Sequence, residues 1–333
     1  MQTQTMRAVV ISRFGGPEVL ELRNLPIPQP GAGQVLIKVA YAGVNYAELM
    51  ARRGEFHALP TPFTPGYEVS GTIVVLGTNV EGFCVGQSVA SLTIQGGYAE
   101  YATAQAALTF PLDASASPVD LEQAAAFPAV ATTAYDLLVN AARIRQDEIV
   151  LIHTASGGVG IAAGQIARAI GSRLVLGTVS SKEKAAYART FGYDKVFPVE
   201  GFEQAVLDAT AGRGVDIALD SRGEPTRSQN LTLLAPFGRL VVYGNASNIP
   251  EQPILPNELW RANKGIIGYS ITSLSQTAPH LIAQTVQQVL LLMAVGSLRI
   301  DVSAVLPLAQ AAEAHRRIES RSHVGKLLLR VQE

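Results

Sequence analysis

A chain of 333 residues is at the size where one hydrophobic core stops growing, so two domains are expected. Apolar residues make up 48% and charged residues 16%, a foldable composition, and a net charge of −1 with no basic stripe argues against nucleic acid or an anionic membrane surface as a partner. A single cysteine, Cys84, excludes an internal disulfide and any multi-cysteine zinc site.

The start, MQTQTMRAVV, shows no charged-then-apolar leader and moves quickly into strand-like sequence. Strands are expected at Arg7–Ile11, Val35–Ala40, Gly71–Leu76, Ser88–Leu92 and Tyr98–Thr103, separated by Pro- and Gly-punctuated turns such as PIPQPGAG and LPTPFTPG. After Pro128 the pattern changes. A helical pattern over Ala129–Ala142 leads into a buried-strand run, Glu148–His153. Val159, Ala163, Ile166 and Ile170 then recur on one helix face. Strand Leu174–Thr178, helix Lys182–Phe191 and strands Val215–Asp220 and Arg239–Tyr243 follow. Strands alternating with helices at this spacing predict a doubly wound parallel sheet of Rossmann type. The tail adds helices over Ala278–Met293 and Leu308–Glu319 and a closing strand, Lys326–Val331. The apolar run Val286–Val295 is broken by Gln287 and Gln288 and is too short to span a bilayer. A soluble protein of a reducing, cytoplasmic compartment is expected.

The turn Ala155-Ser156-Gly157-Gly158-Val159-Gly160 lies between the buried strand and the amphipathic helix, the context in which a glycine-rich motif binds a dinucleotide. Gly157 lets the backbone approach a pyrophosphate, and Gly160 lets the helix pack on the strand. The helix N-terminus offers N–H groups and a positive dipole end to the phosphates. Ala155 replaces the first glycine of the usual motif, which is tolerable at negative φ. No Gly-Lys-Ser/Thr follows, so a P-loop is excluded. The second strand ends Thr178-Val179-Ser180-Ser181-Lys182-Glu183-Lys184. An NAD site needs a carboxylate there for the ribose 2′-OH. Hydroxyls and Lys184 suit a 2′-phosphate instead, so NADP(H) is favoured, with Ser180 or Ser181 also serving as a helix cap.

The five histidines, His57, His153, His280, His315 and His323, show no ligand spacing, and structural or surface roles are expected for them. Cys84, beside Phe83 and Val85, reads as a small core residue rather than a nucleophile.

The segments Met6–Val10, Phe14–Leu20, Ala42–Met50, Pro65–Gly71, Gly82–Val89, the glycine turn, Gly214–Asp220, Gly238–Asn245 and Val324–Leu329 together resemble the medium-chain dehydrogenase/reductase superfamily. Within it the chain looks like the zinc-independent quinone oxidoreductase branch, over nearly its whole length. The stretch from Asn45 to Gly54 is most similar to the subgroup of vesicle amine transport protein homologues.

The resemblance implies a GroES-like β-rich catalytic domain from residues 1–127 and 270–333, a Rossmann NADP-binding domain from 128–269, and a homodimer. Zinc-containing relatives place a cysteine ligand near position 44 and a His-Glu pair near position 67. Here Val44-Asn45-Tyr46 and Gly66-Tyr67-Glu68 stand in those places, so no catalytic metal is expected. Hydride from the nicotinamide then needs an acceptor that spreads charge onto its own oxygen: a quinone or an α,β-unsaturated carbonyl.

Residue by residue, the resemblance places Asn45 and Thr133 near the nicotinamide side and Ser156, Gly157, Gly158 and Val159 at the pyrophosphate. Thr178, Ser180, Lys184 and Ser221 fall toward the adenosine. Tyr243, Gly244 and Asn245 face the dinucleotide, Tyr269 and Ile271 meet the carboxamide, and Arg321 reaches the phosphates from the tail. The tyrosine that relatives carry beside the 2′-phosphate is replaced here by Val199 or is displaced. Tyr46 stands where subgroup relatives have phenylalanine, so its phenol either donates a proton or packs as that ring does. Tyr67 is read as cleft lining or core aromatic. Two alternatives stay open: an enoyl-thioester reductase, favoured by a basic patch at Arg52 and Arg53, and a non-catalytic nucleotide-binding or vesicle-associated protein.

Overall fold

The computed structural model describes residues 4–55, 59–112 and 120–332. The chain divides into two compact units. The first holds Met1–Thr132, Thr272–Ala294 and Ile300–Glu333; the second holds Thr133–Ile271 with Val295–Arg299.

In the first unit, β1 (Thr5–Ile11) pairs with β2 (Leu20–Pro26) as an antiparallel ribbon. The main sheet contains β3 (Gln34–Val44), β4 (Glu68–Leu76), β5 (Ser88–Leu92), β6 (Tyr101–Gln105) and β7 (Thr109–Pro111). Its order is β14-β15-β3-β4-β5-β7, with β6 also on β3, and β14 (Val302–Pro307) and β15 (Lys326–Arg330) come from the tail. The eleven residues of β3 organise this sheet, pairing antiparallel with β4, β6 and β15. Val35, Ile37, Val39, Ala42 and Val44 point inward against Val69, Ile73, Leu327 and Leu329, the apolar core of this unit. Irregularities in the β3–β4 ladder at Leu36/Ile37 and Val39/Tyr41 keep apolar residues inward along so long a strand.

In the second unit, β8 (Ile149–Ile152), β9 (Leu174–Val179), β10 (Lys195–Pro198), β11 (Val215–Asp220), β12 (Leu234–Val242) and β13 (Gly265–Gly268) form one sheet. The order is β10-β9-β8-β11-β12-β13 and every pairing is parallel. β8 and β11 are buried throughout, as strands covered on both faces must be. The order reverses between β8 and β11, so their carboxyl ends form the crevice where doubly wound sheets bind ligands.

Several boundaries differ from the sequence reading. The helix expected over Ala129–Ala142 is α-helical over Val130–Tyr135 and continues as a π-helical stretch over Asp136–Ala141. β4 begins at Glu68 rather than Gly71, and β12 at Leu234 rather than Arg239, because ladder pairing carries strands beyond their apolar runs. Cys84 is exposed, not a core residue, since it lies on the turn before β5. Among the described residues no helix is long and apolar enough to cross a membrane.

Candidate active site

The glycine-rich turn closes β8 and opens the helix Gly158–Ile170. Its cap, Gly157, has extended backbone (φ −88°) and supplies no side-chain bond to the first helical turn. The N-terminal N–H groups are left for a ligand to satisfy. Ala155 is fully buried and avoids the left-handed region, which Thr154 takes instead at φ 57°. That is how an alanine replaces the first glycine.

The two remaining glycines differ in kind. A Cβ on Gly160 would lie 2.4 Å from Thr154 O and 2.8 Å from Ala155 C, both backbone, so this glycine serves helix–strand packing. A Cβ on Gly157 would meet only Thr154, at 3.5 Å, an ordinary contact. Space beside Gly157 is therefore open to a phosphate. Beneath the turn, Tyr193 donates its hydroxyl to Gly160 O at 2.6 Å. His153 sits buried between Thr178 Oγ1 and Asn230 Oδ1, at 2.8 Å each. Burial pulls His153 down to about 4, against the raising effects of Asn230 and Asp220, so it is neutral at pH 7 and braces the turn.

Thr178 is thus an interior residue: it is fully buried, its hydroxyl is engaged by His153, and its carbonyl accepts from Ala155 N. It shapes the turn from below. Ser156 is also buried, while Gly158 and Val159 are half-buried at the helix start. After β9, Ser181 caps the helix Lys182–Arg189 by accepting from Lys184 N, which leaves Ser180 exposed with Lys184 one turn on.

Across the crevice, Thr154 Oγ1 and Ser221 Oγ lie 3.3 Å apart, joining the ends of β8 and β11. Ser221 also bonds the Tyr243 hydroxyl, whose pKa burial raises to about 12, so it stays protonated. Asp220 is fully buried; it accepts from Arg222 N and Gly223 N and pairs with Arg227, which donates on to Gly244 O at 2.8 Å. Asn245 fills the space where a Cβ of Gly223 would stand. Tyr269 donates its hydroxyl to Asp136 Oδ2 at 2.8 Å and also bonds Thr133, while its N–H is spent on Val242 O. Ile271 is half-buried at the start of the helix Ile271–Thr277.

The first unit holds a second centre. Strand register builds it. Leu327 pairs with Val44, which sets Lys326 against Asn45, and Ala42 pairs with Val69, which sets Glu68 against Gly43. A Cβ on Gly43 would lie 2.3 Å from Glu68 Oε1, so glycine is needed there for the carboxylate to enter.

Lys326 Nζ donates to Asn45 Oδ1 and Glu68 Oε1, each at 2.5 Å. Asn45 Nδ2 donates to Glu68 Oε1 at 2.9 Å, and Ala129 N to Glu68 Oε2 at 2.6 Å. Glu48, on the helix Tyr46–Arg53, reaches back to Asn45 N at 2.8 Å and accepts from Tyr67 N at 3.0 Å. Glu48, Glu68 and Lys326 are 1%, 0% and 2% exposed, so two carboxyls share one buried cation. With its donors on Glu68 and Glu48 and its oxygen facing Lys326 and the Glu48 N–H of the capping box, the Asn45 amide has a fixed orientation.

Burial pushes the Glu48 carboxyl up to about 7, against the lowering effect of Lys326 and the backbone amides. A raised folded value means that Glu48 contributes stability fully present below its unfolded value of 4.5 and lost as pH rises through about 7. The stability of wild type relative to Glu48→Gln should fall by roughly 2.5 kcal/mol between about pH 5 and about pH 8 in urea melts. A pH-independent difference would contradict this assignment.

Tyr46 is half-buried at the edge of the core and hydrogen-bonds Arg53. Tyr67 is largely buried, its hydroxyl accepting from Thr272. The exposed basic patch expected at Arg52 and Arg53 is absent. Arg52 is fully buried, donating to Gly15 O and pairing with Glu319, with His315 beside it, and Arg53 pairs with the same Glu319 at 2.7 Å. His315 is pulled down to about 3 by burial, then by Arg52 and Arg53, and is neutral. Arg321 lies in the first unit, exposed, with left-handed backbone (φ 53°). His57 lies outside the described residues. Among those described, no three His, Cys, Asp or Glu side chains gather as a metal-ligand set.

A six-stranded parallel sheet with an uncapped glycine turn at its switch point defines a dinucleotide-binding protein of the Rossmann class, here carrying a second, β-rich unit. Residues 158–288 match the family described as zinc-binding dehydrogenase, and residues 31–114 the alcohol dehydrogenase GroES-like domain. The chain is 36% identical over 330 residues to the quinone oxidoreductase of Homo sapiens, covering 97% of each. The crystal structure of the human synaptic vesicle membrane protein VAT-1 homolog-like protein is similar with a TM-score of 0.88 at 32% identity, covering 99% of both chains. That of Escherichia coli quinone oxidoreductase complexed with NADPH is similar with a TM-score of 0.88 at 27% identity, covering 98% of this chain and 99% of that one. The chain belongs to the medium-chain dehydrogenase/reductase superfamily, in its quinone oxidoreductase branch.

Proposed function

We propose that the protein is a zinc-independent, NADPH-dependent reductase that transfers hydride to a quinone or an α,β-unsaturated carbonyl. The uncapped N-terminus of Gly158–Ile170, with open space beside Gly157, carries the cofactor assignment. When bound, the nicotinamide supplies hydride to an electron-poor carbon. The N–H groups of Gly158, Val159 and Gly160 hold the pyrophosphate, and Ser180 and Lys184 take the 2′-phosphate. Ser156 and Thr178 shape the turn. Ser221, Tyr243, Gly244 and Asn245 border the dinucleotide. Thr133, Tyr269 and Ile271 are assigned to the nicotinamide end and Arg321 to the phosphates. Asn45 is assigned to the nicotinamide ribose, and Tyr46 donates a proton to the reduced acceptor. By the same assignment, residues 128–269 are the NADP-binding domain and 1–127 with 270–333 the catalytic domain.

The zinc-independent reading is supported by Glu68, whose oxygens are already engaged by Lys326, Asn45 and Ala129 N. The enoyl-thioester alternative loses its basic patch, because Arg52 is buried and Arg53 is paired. A homodimer is supported by β13, an edge strand preceded by the exposed side chains of Leu255 and Trp260. A monomer in sedimentation at micromolar concentration would contradict it. We assign the protein to the cytoplasm because its one cysteine is an exposed free thiol, and fractionation to an oxidising compartment would remove that assignment.

The test is NADPH oxidation with phenanthrenequinone, a small enone and a crotonyl thioester side by side. Turnover of the quinone or the enone is expected; turnover of the thioester alone would favour the alternative, and NADPH binding without any turnover would favour a non-catalytic role. Lys184→Ala should raise the Kd for NADPH about tenfold and leave that for NADH within about twofold, as loss of one charge-assisted contact predicts. Equal effects on both cofactors would contradict the 2′-phosphate role.

A further inference from the structure

The π-helical stretch Asp136–Ala141 belongs to the second unit, and Ala142 N donates to Leu137 O across its widened turn. Such turns depart from the favoured helical ladder and recur at functional sites. This one begins at a buried carboxylate. Asp136 is 2% exposed; its Oδ1 accepts from Asn140 Nδ2 at 2.5 Å and its Oδ2 from the Tyr269 hydroxyl at 2.8 Å. The two donors offset the cost of burying it. Tyr269 follows β13 directly, and its N–H donates to Val242 O at 2.9 Å, at the end of the β12–β13 ladder. Tyr269 is therefore held at both ends, its backbone on β12 and its hydroxyl on a turn 133 residues earlier. A Cβ on Gly268, the last residue of β13, would meet nothing within 4 Å, so the strand end beside Tyr269 faces open space.

Sheet order says what that space is for. All the strands of this sheet run parallel, so the residues that follow them lie along one edge. A dinucleotide crosses the switch point with its pyrophosphate on the glycine turn after β8 and its adenosine ribose at the end of the next strand, β9. The nicotinamide half then runs the other way, over the ends of β11, β12 and β13, where Ser221, Tyr243 and Tyr269 stand in turn.

We propose that Asp136 is a positioning residue for the nicotinamide half of the cofactor: by accepting the Tyr269 hydroxyl it ties the end of β13 to the π-helical turn and holds the Tyr269–Ile271 backbone in place for the carboxamide. This rests on the reductase reading above, through its cofactor. A segment already fixed loses less conformational freedom when the ligand arrives, so the tie strengthens binding without touching the ligand. Burial and the neighbouring carboxylate raise the Tyr269 hydroxyl above its ordinary range, so it stays the donor of the pair. The adenosine half lies on the other side of the switch point and gains nothing from this tie.

The experiment compares wild type, Tyr269→Phe, Asp136→Ala and Asp136→Asn as full chains. The ligands are NADPH and adenosine 2′,5′-bisphosphate, which carries the 2′-phosphate but no nicotinamide. Tyr269→Phe and Asp136→Ala should each raise the Kd for NADPH about tenfold, the scale of one lost charge-assisted bond, and leave that for the bisphosphate within about twofold. The double variant should bind NADPH no more weakly than either single one, because both changes remove the same tie. Asp136→Asn keeps an acceptor for the hydroxyl and should stay within about threefold of wild type. Calorimetric titration reads each Kd, and thermal melts show which variants are folded. If Asp136→Ala does not fold, Tyr269→Phe, which keeps the ring, decides alone. Equal losses on both ligands overturn the proposal, as does an unchanged NADPH affinity or a double variant whose losses add. If wild type binds NADPH but turns over no acceptor, the reductase reading falls, and the contrast between the two ligands still decides the role of Asp136.

Discussion

Replacing Gly157 with alanine is expected to weaken NADPH binding by about tenfold or more while leaving the unfolding temperature of the free protein nearly unchanged. The added methyl meets only Thr154 at 3.5 Å, so the fold tolerates it. It stands where a pyrophosphate must approach the backbone, and losing one charge-assisted bond there is worth about 1.5–3 kcal/mol. Gly160→Ala should behave differently. Its Cβ would lie 2.4 Å from Thr154 O, so strand end and helix must separate, and an overpacking penalty of about 1–3 kcal/mol adds to the weaker binding. Fluorescence titration and thermal melts on both variants check this. A large loss of stability in Gly157→Ala, or none in Gly160→Ala, would show that the two glycines have been given each other's roles.

Lys326→Met is expected to destabilise the protein by about 3–5 kcal/mol near pH 8, because it removes the cation shared by two buried carboxyls. The penalty should shrink near about pH 5, where protonation relieves the buried charge that the lysine no longer balances. Asn45 would also lose the donor that fixes its oxygen, so NADPH affinity should fall even where the variant is folded. Urea melts at the two pH values are the measurement. A penalty under about 1 kcal/mol at both would mean that Lys326 does not hold the cluster together.

The dinucleotide turn was legible in the sequence because its determinants are local: an apolar strand, three glycines and a helical face within twenty-odd residues. The doubly wound parallel sheet followed from strand–helix alternation for the same reason, but its edge strands β10 and β13 and its strand order rest on long-range pairing and were not legible. The Glu48–Glu68–Lys326 cluster was not legible. Lys326 lies 281 residues from Asn45, and only the β15–β3 register brings them together. One local signal did exist. Asn45-x-x-Glu48 has capping-box spacing, which places Glu48 against the Asn45 N–H whatever the tertiary contacts. Arg52 reads as exposed in the sequence because its partners, the buried His315 and the half-buried Glu319, are far away on the tail helix. Cys84 was misread as core because apolar neighbours in sequence do not fix which way a turn residue faces.

A reductase that draws hydride from NADPH without a metal should show both properties in one assay. NADPH oxidation with phenanthrenequinone is followed before and after exhaustive dialysis against a chelator, with NADH as the parallel donor. Turnover should be unchanged by chelation and much faster with NADPH than with NADH. Activity that is lost on chelation and restored by zinc, or a preference for NADH, would contradict it.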